Sequence, residues 1–334
     1  MRICLYLELE GKLIGCGIST AVKNQRKALE LVGVEHTRNI REKFDILHLN
    51  AIGPKSLYLI KKMKRKGVKV IIHSHVTADD FRNSYVLSNE IAPILKKYLV
   101  YYYNQADLLL CPSTYTKQVL RSYGVRVPIE VISNGIDLEK FKFDPEKREQ
   151  FREKYDANGF VPLCVGHLFL RKGLDTFIEV AKNFPEFDFI WVGRRYPLLE
   201  DPRVTKLLKK APKNVKFINF IPDILEAYSG SDIFLFPSYC ENQGIVLMEA
   251  ASCKLPILCR NLKAYDDWLK NEHNCLMAST EREFIERFEK LLNNSSLRKK
   301  LAKQAYEDVK QHSLERIGNQ LKEIYEKLLD GEYS

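Results

Sequence analysis

The chain has 334 residues, of which 45% are hydrophobic; this is enough for two domains with a core each and excludes a disordered protein. Its apolar runs are too short to span a bilayer, and its first residues resemble a β-strand rather than a signal peptide, so we expect a cytoplasmic protein. The net charge is +10, and residues 1–140 hold 22 Lys and Arg against 13 Asp and Glu, so we expect an anionic partner on the first lobe.

The first half of the chain alternates short apolar runs with amphipathic helical patterns. Strands are predicted at residues 3–7, 46–49, 68–73, 108–111 and 130–132. Helices are predicted at residues 20–31, 54–66, 88–104 and 115–123. Strands that alternate with helices indicate a parallel sheet with helices on both faces.

Two loops of this half follow predicted strands and carry candidate binding residues. Gly15 and Gly17 precede the first helix, where glycines let backbone N–H groups approach a phosphate or a sugar; a tight turn without a ligand is the alternative. That loop lacks the third glycine of a dinucleotide-binding fingerprint. His73 and His75 share one face of the extended chain, and a zinc pair would need a third ligand that the sequence does not clearly supply.

The second half repeats the alternation. Strands are predicted at residues 161–165, 187–192, 215–217, 233–236 and 256–259, and long helical segments at residues 280–329. A charged stretch with few apolar residues, 137–159, predicts the domain boundary. We therefore expect two doubly wound α/β domains, residues 1–140 and 141–310, with ligands in a cleft beyond the carboxyl ends of their strands.

A glycine-bounded loop after the first strand of the second half contains two adjacent cations. Arg171 and Lys172 precede Gly173 at the start of a predicted helix. Charge-assisted hydrogen bonds and the helix dipole together favour a diphosphate at such a position. The alternative is a solvated Arg–Lys pair with no ligand.

Two glutamates in residues 238–251 are candidate ligands for sugar hydroxyls. Glu249 lies in an apolar helical run, where a carboxylate is costly without partners. It could accept hydrogen bonds from the vicinal hydroxyls of a ribose, and Glu241, in the preceding loop, could do so for a hexose. A buried structural glutamate paired with a basic residue is the alternative.

Read together, these motifs resemble the family-4 retaining glycosyltransferases of GT-B fold, over nearly the whole chain. The resemblance rests on Glu241-x7-Glu249, Arg171-Lys172-Gly173, residues 134–137 and the loop of Gly15 and Gly17. A narrower similarity, to bacterial enzymes that build glycosyl-diacylglycerols, rests on residues 75–84, 169–173, 189–193, 244–249 and 265–269. The family fold implies two facing Rossmann-like domains, with a C-terminal helix (residues 311–334) that returns to the first.

The resemblance also implies roles for individual residues. It assigns Glu249 to the donor ribose, Glu241 to the donor sugar, Lys172 to the diphosphate, and His75 to the neighbourhood of the donor sugar. The candidate catalytic residues are Glu241, His75, Arg171 and Lys172. The candidate donor-binding residues are Gly15, Gly17, His167, Arg171, Lys172, Glu241, Asn242, Gln243, Gly244, Ile245 and Glu249. His167 stands where the family commonly has Arg, and Gln243 where many members have Phe.

The expected activity is that of a retaining hexosyltransferase, with glucose or galactose passing from a UDP-sugar to a diacylglycerol-type lipid or glycolipid. The alternatives are a soluble sugar or cell-surface glycan as acceptor, and a non-catalytic nucleotide-sugar-binding protein. The sequence has no D-x-D motif, so no metal cofactor is expected. Nucleic acid is not expected as a partner, because the basic residues lack regularly interleaved aromatics.

We also expect reversible binding to an anionic membrane, at the inner face of the cell membrane. Residues 51–100 carry ten Lys and Arg against three Asp and Glu. The predicted face places Lys96 and Lys97 among the apolar residues Ile94, Leu95, Tyr98, Leu99 and Tyr102. Two ordinary helices packed on a sheet, with their lysines in water, are the alternative.

Overall fold

The computed structural model describes residues 1–12 and 15–333 of the chain. Leu13, Ile14 and Ser334 lie outside the described residues, so the middle of the predicted glycine loop and the last residue of the predicted terminal segment do too. Within the described part, the chain divides into two compact units. The first comprises Met1–Asp79, Ile91–Asp137 and the chain from Gln311 onward; the second comprises Asp80–Glu90 and Leu138–Lys310.

The first unit is built on a parallel six-stranded sheet with the order β2-β1-β3-β4-β5-β6. Its strands are β1 Arg2–Tyr6, β2 Glu35–Thr37, β3 Ile46–Leu49, β4 Lys69–His73, β5 Leu108–Cys111 and β6 Ile129–Val131. The helices of the first half of the chain are α1 Gly17–Leu31, α2 Pro54–Lys64, α3 Ala78–Phe81, α4 Ser88–Tyr103 and α5 Thr114–Tyr123. The short edge strand β2 has no apolar run, so the sequence pattern does not predict it.

The second unit has a parallel six-stranded sheet with the order β12-β11-β10-β7-β8-β9. Its strands are β7 Pro162–Val165, β8 Phe189–Val192, β9 Val215–Ile218, β10 Ile233–Phe236, β11 Ile257–Arg260 and β12 Leu276–Ala278. The remaining helices are α6 Pro145–Lys154, α7 Leu174–Asn183, α8 Pro202–Lys210, α9 Leu225–Gly230, α10 Ile245–Ser252, α11 Glu281–Asn293, α12 Ser295–Val309 and α13 Leu314–Leu329. Two parallel sheets covered by helices confirm the predicted α/β class.

The two faces of the first sheet carry separate cores. On one face, α2 and α4 contribute Leu59, Ile60 and Leu99 to a fully buried cluster. On the other, α1 packs against α13, whose Ile317 and Leu321 are buried. A Cβ atom on Gly318 would overlap the carbonyl oxygen of Ala28, so the backbones of α1 and α13 are in direct contact. The last helix therefore belongs to the first unit.

The charged stretch predicted as a domain boundary contains a well-anchored helix. Asp144 caps the first turn of α6, because its carboxylate accepts hydrogen bonds from the N–H groups of Glu146 and Lys147. Phe151 is fully buried, and both arginines of the helix bind Asp232. One buried aromatic side chain and two arginines therefore anchor α6. The rest of the helix is mostly charged, and this is why the sequence pattern resembles a linker.

One segment changes unit in a way that the sequence does not predict. Residues Asp80–Glu90, between β4 and the body of α4, pack in the second unit, and we call them the strap. The structural division therefore falls at Asp137 and Lys310 but includes this excursion near the end of β4. Among the residues described, no helix combines the length and the apolar character required to cross a membrane.

Candidate functional site

The order of the second sheet singles out one pair of strands. From β7 the chain proceeds to β8 and β9 on one side, then returns to β10 on the other side of β7 and continues to β11 and β12. The loops after β7 and β10 therefore leave the sheet side by side at its topological switch point. Ligands of open α/β sheets bind beyond the carboxyl ends of the strands at that point. Both second-half motifs of the sequence lie in these two loops.

An ion pair joins the two loops. The ammonium of Lys172 donates to Glu241 Oε1, and the guanidinium of Arg171 lies 3.8 Å from the same oxygen. Ser238, at the end of β10, donates its hydroxyl to that oxygen at 2.7 Å. Gly173 has φ +78, so the backbone turns from the cations directly into α7. The sequence predicted Lys172 and Glu241 separately, and the structure brings them together across 69 positions.

The protonation of this pair follows from its surroundings. Burial alone would raise the pKa of Glu241, but Lys172 and Arg171 outweigh it, and the pKa is lowered. Burial lowers the pKa of Lys172, while Glu241 acts in the opposite direction. Because one carboxylate faces two cations, the cluster carries a net positive charge. Such a cluster suits an anionic ligand.

Glu249 lies one helix away, in α10, and is 6% exposed. Tyr228 donates its hydroxyl to Glu249 Oε2 at 2.6 Å. Burial raises the pKa of Glu249, and the hydrogen bond from Tyr228 opposes that rise. The hydrogen-bond partner is therefore a tyrosine, and the charge of Lys140 also lowers the pKa of Glu249.

The other second-unit candidates surround these loops. His167 follows β7, and burial together with the neighbouring Lys172 and Arg171 lowers its pKa to about 4, so it is neutral at neutral pH. Asn242 donates its amide to Asp80 in the strap at 2.8 Å, and Gln243 is buried. Gly244, with φ +77, precedes Ile245, the first residue of α10.

The first unit contains a column of three histidines. The ring of His75 stacks on His73 at 4.3 Å between centroids, and His73 stacks on His48 at 5.6 Å. Asn50 Oδ1 accepts a hydrogen bond from His75 Nε2 at 2.8 Å, and Tyr325 on α13 bonds His48 Nδ1 at 2.8 Å. Burial lowers the pKa of His75 to about 3, so its ring is neutral. The sequence predicted the shared face of His73 and His75 but missed His48 and Tyr325.

The structure describes Gly15 and Gly17, the two candidate glycines of the first unit. Gly15 has φ +81, a backbone conformation that favours glycine. Gly17 begins α1, and no other heavy atom lies within 4 Å of where its Cβ would be. Among the described residues, no side chain or backbone atom occupies the space where a Cβ of Gly17 would lie.

Comparison with known proteins identifies the family. Residues 145–308 match the family model for glycosyl transferases group 1, and residues 26–140 match that for glycosyltransferase family 4. The chain is 35% identical to the processive diacylglycerol alpha-glucosyltransferase of Acholeplasma laidlawii, over 98% of this chain and 99% of the relative. This chain belongs to the family-4 glycosyltransferases.

The transferase is also similar to a second curated protein and to a solved structure. It is 27% identical to the alpha-galactosylglucosyldiacylglycerol synthase of Streptococcus pneumoniae, over 95% of this chain and 87% of the relative. The Anabaena protein HepE, solved in complex with UDP and glucose, superposes with a TM-score of 0.78 at 18% identity and covers 98% of this chain and 99% of that protein. This likeness confirms the predicted GT-B fold.

Proposed function

We propose that the transferase moves glucose or galactose from a UDP-sugar to a membrane lipid or glycolipid of diacylglycerol type. One observation carries the acceptor class: the relative that is 35% identical along nearly the full length of both chains is described as a diacylglycerol glucosyltransferase. The streptococcal relative, described as a glycosyldiacylglycerol synthase, supports the same class.

The donor binds the second unit in this proposal. Glu249 accepts hydrogen bonds from the ribose hydroxyls, and Glu241 holds the hexose. Asn242, Gln243 and the N-terminus of α10 complete the loop that faces the donor. The buried ion pair supports this arrangement, because Lys172 fixes the Glu241 carboxylate before the sugar arrives.

The leaving diphosphate gains negative charge in the transition state. Arg171 and Lys172 are fixed cations at the start of α7, so they stabilise that charge without reorganisation. Two cations can do the work that a divalent metal does elsewhere, and we propose a reaction that needs no metal. The family resemblance implies a place near the donor sugar for His75, and we propose that role for it. Retention of the anomeric configuration follows the family resemblance, and we assign no nucleophile.

The acceptor reaches the first unit from an anionic membrane. The exposed face of α4 carries Ile91, Ile94 and Tyr101, and that of α2 carries Tyr58 beside Lys62. The predicted face needs correction, because Leu99 and Tyr102 are fully buried in the core against the sheet. Ile94, which is 70% exposed, remains as predicted. Basic charge beside exposed aromatic and aliphatic side chains suits a membrane interface.

A donor and acceptor panel tests the proposed reaction. The protein is incubated with UDP-glucose or UDP-galactose and with diacylglycerol, monohexosyl-diacylglycerol or a polyprenol-diphosphate sugar, and products are identified by mass spectrometry. We expect a hexosyl-diacylglycerol or dihexosyl-diacylglycerol. Product on the polyprenol-linked sugar alone, or UDP release without any transfer, contradicts the proposal. A reaction without the protein serves as the blank.

A further inference from the structure

Two loops of the second unit present four exposed apolar side chains side by side. Val86 and Leu87 come from the strap, and Leu198 and Leu199 from the loop between β8 and α8. We call these four residues the apolar tip. Leu198 is 97% exposed, and the N–H of Val86 donates to the carbonyl of Leu199 at 2.8 Å. Single exposed leucines are ordinary, but a contiguous exposed apolar patch marks an interaction surface.

An aromatic cluster beneath the tip holds both loops in place. Tyr85 contacts Phe169 at 4.8 Å and Tyr196 at 6.1 Å between ring centroids. Leu87 adopts φ 59, a left-handed conformation that leucine takes up only when its surroundings hold it. The tip is therefore a built surface rather than a frayed end.

The chain next to the tip is basic. Residues 194–213 hold seven Lys and Arg against two Asp and Glu. Arg195 and Arg203 bind those two acids, Glu200 and Asp201. The four lysines of this stretch form no ion pair with any residue that the structure describes; they are Lys206, Lys209, Lys210 and Lys213. The hydrogen bond from Arg203 to Asp201 raises the pKa of the Arg203 guanidinium, and Glu90 on the strap adds a smaller effect in the same direction.

We propose that the apolar tip inserts into the interface of an anionic membrane, while the lysines of α8 and Lys213 contact the headgroups. This rests on the proposed lipid acceptor and adds a membrane contact on the donor-binding unit. Apolar side chains supply the insertion and lysines the attraction to anionic lipid. A protein partner would need a large complementary surface, whereas a bilayer accepts a small protruding tip flanked by unpaired lysines.

The strap also connects the apolar tip to the loop after β7, which contains Arg171 and Lys172. The carbonyl of Asn83 accepts a hydrogen bond from the N–H of Arg171 at 3.1 Å, and Ser84 accepts one from the Arg171 guanidinium at 2.7 Å. Only two residues, Tyr85 and Val86, lie between Ser84, which holds the Arg171 side chain, and Leu87. Insertion of the apolar tip therefore takes place beside the loop of Arg171 and Lys172.

A tryptophan placed at the tip tests the insertion directly. The two native tryptophans, Trp191 and Trp268, are buried, so a Leu198→Trp variant adds an exposed reporter. It is mixed with vesicles of phosphatidylcholine and phosphatidylglycerol that carry brominated acyl chains. We expect a blue shift and quenching by the bromine atoms. Leu31→Trp, at a residue of α1 that is 56% exposed, is the matched control and should show neither.

A second variant measures the contribution of the tip to binding. Leu198→Ser/Leu199→Ser should weaken partitioning into these vesicles by about tenfold or more, since two exposed leucines no longer insert. Its affinity for UDP, measured by calorimetry, should match the parent and shows that the unit is folded. Parent binding with no quenching of Leu198→Trp overturns the insertion and leaves the proposed function intact. If the parent itself does not bind, the membrane part of the proposed function fails as well. If the parent is a dimer and the double serine variant is a monomer, the apolar tip binds a second copy of the chain rather than a membrane.

Discussion

At the scale of single residues, Glu249 has the best-defined surroundings of the candidate donor ligands. It is buried, and its carboxylate accepts a hydrogen bond from the hydroxyl of Tyr228, which carries no charge. A ligand with two hydroxyls would satisfy a carboxylate that burial has made costly. We expect Glu249→Ala to lose about 2–4 kcal/mol of transition-state stabilisation, read from kcat/KM.

The control for this prediction separates the site from the fold. Tyr228→Phe removes the hydroxyl but keeps the ring and the carboxylate, so it should cost less activity than Glu249→Ala. Thermal unfolding of both variants is measured in parallel. Turnover close to that of the parent in a folded Glu249→Ala protein would take this residue out of the donor site.

Lys172 is the cation that should matter most to the diphosphate. Lys172→Ala should weaken UDP binding in calorimetry by about 1.5–3 kcal/mol, since it removes a charge-assisted contact. Lys182→Ala, at an exposed residue of α7 paired with Glu179, controls for loss of a positive charge in the same unit. Activity should persist in EDTA. Equal UDP affinities of parent and Lys172→Ala, or full inactivation by EDTA, would contradict this account.

The sequence predicted these residues individually but not their pairing. Arg171, Lys172, Glu241 and Glu249 stand out because charged groups next to glycines or within apolar runs are unusual. Their partners Ser238 and Tyr228 carry no such signal, because serine and tyrosine are common in strands and helices. The contact of Lys172 with Glu241 depends on strand order, and a single sequence contains no pattern that fixes it.

At the scale of elements, Gly173 determines how the loop of Arg171 and Lys172 joins α7. Its φ of +78 favours glycine, and a Cβ atom there would overlap the carbonyl oxygen of Pro237 at the end of β10. Gly173→Ala should therefore separate the two loops of the switch point and weaken UDP binding as well as stability. Gly124→Ala is the matched control, with φ +102 but no heavy atom within 4 Å of a Cβ.

Gly173→Ala and Gly124→Ala should differ in UDP affinity because only one of them adds a steric clash. Both add the backbone strain of a non-glycine residue at positive φ, about 1–2 kcal/mol each. Only Gly173→Ala adds a clash at the candidate donor site, so it alone should change UDP affinity. An equal loss of UDP affinity in the two variants, measured by calorimetry, would show that the effect is strain alone.

The histidine column should make the first unit sensitive to acid. Burial lowers the pKa of His48 to about 3, and it lowers that of His73 as well. Below about pH 6.5 the unfolded chain takes up protons that the folded column excludes, so stability falls as pH falls. Each of these two histidines should cost about 2 kcal/mol between pH 6.5 and pH 5. His75 is only half-buried and should contribute less.

Urea unfolding at pH 7 and pH 5 measures this loss. Both tryptophans lie in the second unit, so their fluorescence follows that unit, while circular dichroism follows both. We expect the first unit to lose more stability at pH 5. His48→Gln, whose amide can still bond Tyr325, should reduce the pH dependence. Leu47→Ala, at the adjacent residue of β3, should lower stability equally at both pH values, and identical pH dependence in parent and His48→Gln would contradict the role of the column.

Most elements were predictable because buried strands of parallel sheets are continuous apolar runs. The edge strands β2 and β12 were missed: β2 has no apolar residue, and β12 is an apolar run of only three residues. Helix α6 was missed because its exposed face is almost wholly charged. The strap escaped prediction for a different reason: its place in the second unit depends on hydrogen bonds from Arg171 and Asn242, far away in the sequence.

At the scale of the whole molecule, the charge surplus has a defined location. Residues 51–100 carry ten Lys and Arg against three Asp and Glu, and most of these cations are exposed on α2 and α4. Lys64 is neutralised by Asp107 at 2.8 Å, whereas Lys61, Lys62, Lys96 and Lys97 form no ion pair within the described residues. These four lysines should therefore give the first unit an attraction to an anionic surface, in addition to that of the lysines of α8 and Lys213 on the second unit.

The last prediction concerns the salt dependence of membrane binding. We expect co-sedimentation with anionic vesicles at low salt, little with neutral ones, and weaker binding as salt rises, because exposed charges are screened over about 8 Å at physiological ionic strength. Lys62→Glu/Lys97→Glu should lower binding by about tenfold or more, since each lysine near such a surface contributes about 1 kcal/mol. Lys299→Glu/Lys300→Glu, on exposed residues of α12, changes the net charge equally and should bind almost as the parent does. If both pairs of substitutions weaken binding to the same extent, the net charge of the protein controls the association rather than the face of α2 and α4. If binding does not depend on salt and is equal for neutral and anionic vesicles, apolar insertion is the sole contribution.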